Sequence, residues 1–145
     1  MTFTVREARP EDSEQIVRMI KELAAYEKLA DQVAQTTEGL VQDGFTQAPY
    51  YKCLVAEVPA DQACRGQGIG SAFLRVVAEI ALQNKCSLLN FVVLSANFPG
   101  IDFYQAKGAV DLTKLEGCHL FRFEQEQLAK LAAGKGQNVT APPSQ

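Results

Sequence analysis

The chain has 145 residues, 47% of them apolar and 21% charged. That length fits one domain with a sizeable core, and that balance excludes wholesale disorder. Lys and Arg number 14 against 17 Asp and Glu, a net charge of −3, which excludes the basic footprint that a nucleic-acid binder needs.

In chain order, residues 2–8 alternate, with Phe3 and Val5 against Thr4 and Arg6, which predicts a half-buried strand. Arg6, Glu7, Arg9, Glu11 and Asp12 leave no apolar core for a signal peptide. Asp12 and Gln15 form a capping-box pattern, and Ile16, Met19, Ile20 and Leu23 share one face of a helix expected to run to about Leu29. Thr36 or Thr37 caps a short second helix ended by Gly44. Residues 50–58 (YYKCLVAEV) read as a second strand. The stretch from Ile69 to about Asn84 is a helix carrying Phe73, Val76, Val77 and Ile80. Residues 88–94 (LLNFVVL) have the unbroken apolar run of a strand buried on both faces. A short helix is expected over 99–107, with Pro99 in its first turn and Gly108 as its left-handed cap. A strand over 117–124 and a helix over 125–133 follow, and the Gly-, Pro- and Gln-rich residues 134–145 are expected to be disordered. Strands interleaved with helices predict an α/β (α+β) layered domain over 1–133. No apolar run approaches the roughly 18 residues of a bilayer span, so no membrane partner is expected.

The cysteines, Cys53, Cys64, Cys86 and Cys118, form no C-x-x-C, and His119 is the one histidine. No metal set is expected, and the thiols read as reduced and packed in the core. His119 reads as a plain strand residue.

The sharpest local signal is Arg65-Gly66-Gln67-Gly68-Ile69-Gly70-Ser71 at the start of a helix. It lacks the Gly-Lys-Ser/Thr of a Walker loop, and Ser71 breaks the dinucleotide fingerprint. Glycines let successive N–H groups turn toward an anion, and a helix N-terminus adds positive potential. On spacing alone, an anion cradle and a plain loop-to-helix turn are both consistent with it.

This loop resembles the acetyl-CoA pyrophosphate loop of the GNAT N-acetyltransferases. Further stretches resemble the diamine (spermidine/spermine) acetyltransferases within that superfamily. They are Lys21 to Leu29, Asp31-Gln32-Val33, Asp43-Gly44-Phe45, Cys53 to Val58, Asn97, Phe103-Tyr104, Gly108-Ala109 and Glu116-Gly117. Glu27-Lys28-Leu29, Gln67 and Asp111-Leu112-Thr113 tilt the likeness toward the thialysine-acetylating branch. The resemblance implies a GNAT-like mixed sheet flanked by helices, acetyl-CoA as cosubstrate, a small amine such as thialysine or a polyamine as acceptor, and a cytoplasmic homodimer.

The resemblance also has a gap. In that family the strand ending V-A-E-V-P precedes two long strands before the glycine loop, whereas here Pro59 reaches Arg65 in six residues. The missing hairpin and flanking loops amount to about 30–40 residues. The family's glutamate base, a carboxylate near the polyamine and the strand beside the pantetheine arm therefore have no counterparts. Two outcomes are open. In the first, the strand at 51–58 feeds the glycine loop and pairs into a strand–helix–strand unit with 88–94, bringing Glu57 near the old base position. In the second, the sheet centre stays open and apolar edges are left exposed. The first is expected of a folded form.

Residue by residue, the resemblance makes Tyr104 the general acid, although Phe103-Tyr104 alone reads as core packing. It assigns Arg65, Gly66, Gln67, Gly68, Ile69, Gly70, Ser71, Asn90, Phe91, Val92 and Asn97 to the cofactor, and Tyr26 and Glu27 to the substrate. Asn97 also reads as a helix cap, and Ala96 and Gly100 depart from the family's tryptophan and serine. Glu22, Glu27, Asp31, Glu38 and Asp43 form an acidic rim in the first third, each acid alone reading as a solvated helix face. A chain so shortened is expected to be weak or inactive. Its alternative role is that of an acetyl-CoA-binding or dominant-negative dimer partner of the full-length form.

Overall fold

The computed structural model describes residues 3–60 and 66–133. Cys64, Arg65 and the expected disordered segment 134–145 lie outside the described residues. The elements are β1 (Thr4–Glu7), α1 (Ser13–Tyr26), α2 (Thr37–Gly44), β2 (Leu54–Glu57), α3 (Ile69–Gln83), α4 (Phe98–Ala106), α5 (Leu112–Glu116) and α6 (Gln125–Ala133). The mixed helix-and-strand class is the expected one. The chain divides into two units, Met1–Asn90 and Phe91–Gln145, each described by itself.

The first unit holds the sheet. β1 and β2 run antiparallel, with Thr4 opposite Glu57, Val5 opposite Ala56, Arg6 opposite Val55 and Glu7 opposite Leu54. The Ala8 amide extends the ladder by donating to the Cys53 carbonyl at 2.8 Å. The odd-numbered side chains of the second strand therefore share one face, and Tyr51, Cys53 and Val55 pack on a core of Ile16, Val17 and Leu40. The Tyr51 hydroxyl donates to the Leu40 carbonyl, which ties the strand to α2.

α1 buries Ile16, Val17 and Ala24, whereas Met19 and Leu23, expected on the core face, are exposed. Ile16 and Ile20 of the expected stripe do face the core, Ile16 within it and Ile20 packed against it, and Val17 joins them. The capping box also differs. The Asp12 carboxylate accepts from the Arg9 amide at 2.7 Å, one turn ahead of the helix. α2 has the expected start, with Thr36 Oγ1 accepting from the Gly39 amide at 3.0 Å.

Two expected strands do not form. Residues 88–94 and 117–124 join no ladder, and the sheet among the described residues has two strands. A strand is stabilised by its neighbours, and among the described residues neither segment has a strand paired with it. The strand–helix–strand unit expected from joining 51–58 to 88–94 is therefore absent. Leu88, Val92, Leu120 and Phe121 are each more than 75% exposed. His119 lies exposed outside any strand, 6.2 Å from the Phe121 ring. Of the cysteines, Cys53 is half-buried, but Cys86 and Cys118 are exposed rather than packed.

Candidate active site

In the first unit, the glycine loop runs into α3. Gly66 and Gly68 take φ of +79° and +78°, a region that costs any other residue a Cβ clash. Gly68 is the N-cap of α3, and its carbonyl accepts from Ala72 at 3.0 Å. The amides of Ile69, Gly70 and Ser71 occupy the first turn, where the helix offers no i−4 carbonyl. A Cβ built on Gly66 or Gly68 would meet nothing within 4 Å, so both backbone positions are approachable by a ligand. Paired left-handed glycines ahead of a helix N-terminus fit a pyrophosphate. Gln67 is half-buried within this turn.

Tyr26 closes α1 and is 85% exposed, and Glu27 beside it is the half-buried C-cap. Of the other rim acids, Glu22 is held by Arg18 at 3.4 Å, one turn earlier. Asn90, at the end of the unit, is exposed and outside any strand.

Glu57 is paired with Arg6. Its Oε1 accepts from Arg6 Nε at 2.8 Å and from Nη2 at 2.5 Å. The same guanidinium grips Asp12 through Nη1 at 2.8 Å and Nη2 at 3.0 Å. The Arg6 hydrogen bond holds the Glu57 carboxyl below its ordinary range. It also brings Asp12 down to about 2, helped by the Arg9 amide. A carboxylate so stabilised is a poor proton acceptor. This three-way clamp was not visible in the sequence, because only the β1–β2 register brings Arg6 and Glu57 together.

In the second unit, α4 starts at Asn97, whose Oδ1 accepts from the Gly100 amide at 3.1 Å. The capping role expected of Asn97 is thus filled. Phe91 and Val92 precede it in the irregular segment. The Tyr104 ring lies 4.5 Å from the Phe91 ring at 47°, and 5.1 Å from the Phe103 ring at 75°. The sequence gives no sign of the Phe91 contact, since 13 positions match no helical or strand period. Among the described residues no group of His, Cys, Asp and Glu is arranged to hold a metal, and no helix is long and apolar enough to cross a membrane.

Comparisons with known proteins agree with this geometry. The acetyltransferase (GNAT) family profile matches residues 24–109. The chain is 41% identical to thialysine N-epsilon-acetyltransferase of Bos taurus, over 88% of this chain and 96% of that one. It is 40% identical to the Sus scrofa protein of the same name, with the same two shares. It is 33% identical to spermidine/spermine N(1)-acetyltransferase-like protein 1 of Homo sapiens, over 90% of this chain and 24% of that one. The bovine alignment spans 163 positions but draws on 88% of 145 residues, about 128. About 35 positions of the relative therefore face no residue here, the size of the hairpin missed between 58 and 65. An integron cassette protein from the mobile metagenome of V. cholerae superposes with a TM-score of 0.64 at 22% identity, covering 92% of this chain and 99% of that one, which shows the fold. The chain belongs to the acetyltransferase (GNAT) family, and by family it is an N-acetyltransferase.

Proposed function

We propose that this chain is a diamine-type N-acetyltransferase shortened by an internal excision. It binds acetyl-CoA and transfers acetyl, weakly or not at all, to the primary amine of a small cation such as thialysine or a polyamine. The observation that carries this reading is the glycine turn at the head of α3, with its two left-handed glycines and open first-turn amides. Arg65 and Gly66 to Ser71 take the pyrophosphate, and Asn90, Phe91, Val92 and Asn97 are the other positions that the family resemblance assigns to the cofactor. Tyr26 and Glu27 receive the cationic amine.

The chemistry is direct transfer. The deprotonated amine attacks the thioester carbonyl and forms the carbon–nitrogen bond, the carbon–sulfur bond breaks, the Tyr104 phenol protonates the departing thiolate, and the proton lost by the acylated nitrogen restores the phenol. A protonated amine cannot attack, so a base must first remove its proton. The family's glutamate has no counterpart, and Glu57 is engaged by Arg6. Bulk water is left as the acceptor, which is why turnover is slow.

A second reading is favoured by the two-stranded sheet and the engaged Glu57. In it the chain binds acetyl-CoA without turning it over and pairs with the full-length enzyme, which it poisons. In either reading the chain is a cytoplasmic homodimer or such a heterodimer, with residues 1–133 as its domain.

Titration calorimetry with acetyl-CoA tests the shared premise. Saturable binding near one site per chain is expected. A chain that melts cooperatively but binds nothing would refute the cradle. With binding in hand, Tyr104→Phe is expected to remove most acetyl transfer, and unchanged turnover would refute the general-acid role. Co-purification with the full-length enzyme and loss of its activity would favour the second reading.

A further inference from the structure

We infer that Phe91 is a positioning residue for Tyr104. The inference rests on the general-acid reading of Tyr104 and adds what holds that side chain in place.

The backbone at Tyr104 is fixed from both ends of α4. The Asn97 side chain caps the first turn. At the other end the Tyr104 carbonyl accepts from Lys107 at 3.0 Å and Ala109 at 3.1 Å. The remaining freedom is the rotation of the side chain about its own bonds. Phe103 is the next residue on the same helix, so it moves with α4 and gives no external reference. Its ring is itself engaged by Lys107, whose Nζ lies 5.8 Å from the ring centroid. Phe91 stands in a different segment, and its tilted ring at 4.5 Å braces the phenol from outside the helix. A general acid works only within hydrogen-bond reach of the departing atom. The brace therefore has kinetic weight, because a displacement of order 1 Å costs about a hundredfold in rate.

The test uses the full chain labelled with 3-fluorotyrosine, with Tyr104→Phe assigning the Tyr104 fluorine line. In Phe91→Leu that line is expected to lose the Phe91 share of its ring-current displacement, the Phe103 ring keeping its own, while the Tyr26, Tyr50 and Tyr51 lines stay in place. Phe91→Tyr, which keeps an aromatic ring, is expected to retain the displacement. In acetyl transfer, Phe91→Leu is expected to lower kcat on the order of tenfold, with Phe91→Tyr restoring it. A Tyr104 line that Phe91→Leu does not move overturns the inference whatever the turnover, and so does a loss of kcat that Phe91→Tyr fails to restore. Equal turnover by Tyr104→Phe and the parent chain would remove the general-acid reading, and with it the kinetic arm, while the fluorine line still decides whether Phe91 fixes the ring.

Discussion

Two single residues carry testable physics. Ser13 is 0% exposed at the start of α1, and its Oγ has no hydrogen-bond partner. A buried hydroxyl left unpaired costs about 1–3 kcal/mol, so Ser13→Ala should stabilise the chain by about 1 kcal/mol. Urea unfolding measures this, and a lowered midpoint would refute it. Arg6 is the second. It holds Asp12 down to about 2 from an ordinary 3.8, and it lowers Glu57 in the same direction. Arg9, near both acids, adds to the effect. Both folded-state values lie below the unfolded ones. Their contribution is therefore complete above the unfolded range, and it is lost as pH falls from about 4 toward about 2. Thermal melts across that range should show an acid limb that Arg6→Met flattens, and parallel curves for the two chains would refute the clamp. The glycine cradle was legible from spacing because its glycines answer a local backbone demand. The Arg6 clamp and the Phe91–Tyr104 contact were not, because tertiary pairing creates both.

At the scale of elements, three helices end in the same way. After α1 the Lys28 amide bonds to the Ala25 carbonyl at 3.2 Å and Leu29 to Ala24 at 2.8 Å. After α3, Lys85 bonds to Leu82 and Cys86 to Ala81, and after α4, Gly108 bonds to Gln105 and Ala109 to Tyr104. Each is a Schellman close, which places the residue after the C-cap in the left-handed region. Gly108 suits it at φ +93°, whereas Lys28 and Lys85 hold it at +60° and +58°. A side chain there costs about 1–2 kcal/mol, partly offset for lysine by its charge near the helix C-terminus. Lys28→Gly and Lys85→Gly should each raise stability by about 0.5–1 kcal/mol, and Gly108→Ala should lower it by a similar amount. Denaturant midpoints decide, and destabilisation by the lysine changes would refute the argument. This is also why α4 was legible at its end, while α1, expected to reach Leu29, stops at Tyr26. A lysine announces no left-handed cap. Helices depend on local bonds and most were read closely, as with α6 over Gln125–Ala133, whereas α5 over Leu112–Glu116 was not expected. The segments at 88–94 and 117–124 have strand composition, but a strand also needs a neighbour, and composition cannot supply one.

At the scale of the whole molecule, the buried core is confined to one stretch of chain. The buried side chains among the described residues are Ser13, Ile16, Val17, Ala24 and Leu40, all in the first 40 positions. Opening free energy follows burial, so amide protection should be highest across α1, α2 and the β1–β2 ladder and lowest from 88 onward. Residues 88–94 then carry a specific hazard. They contain no charge and no proline, are rich in β-branched and aromatic residues, and hold Leu88, Phe91 and Val92 exposed without a ladder. Such a segment pairs with copies of itself. Aggregation should therefore be steeply concentration-dependent. Val92, 76% exposed, is the position at which to interrupt it, since a lysine there adds charge to each stacked copy while removing little packing from the monomer. Val92→Lys should slow light-scattering growth by about tenfold or more and leave the far-ultraviolet circular dichroism unchanged. Aggregation at the parent rate would place the self-pairing segment elsewhere, and the exposed 118–124 stretch, with Leu120 and Phe121, is where it would then lie.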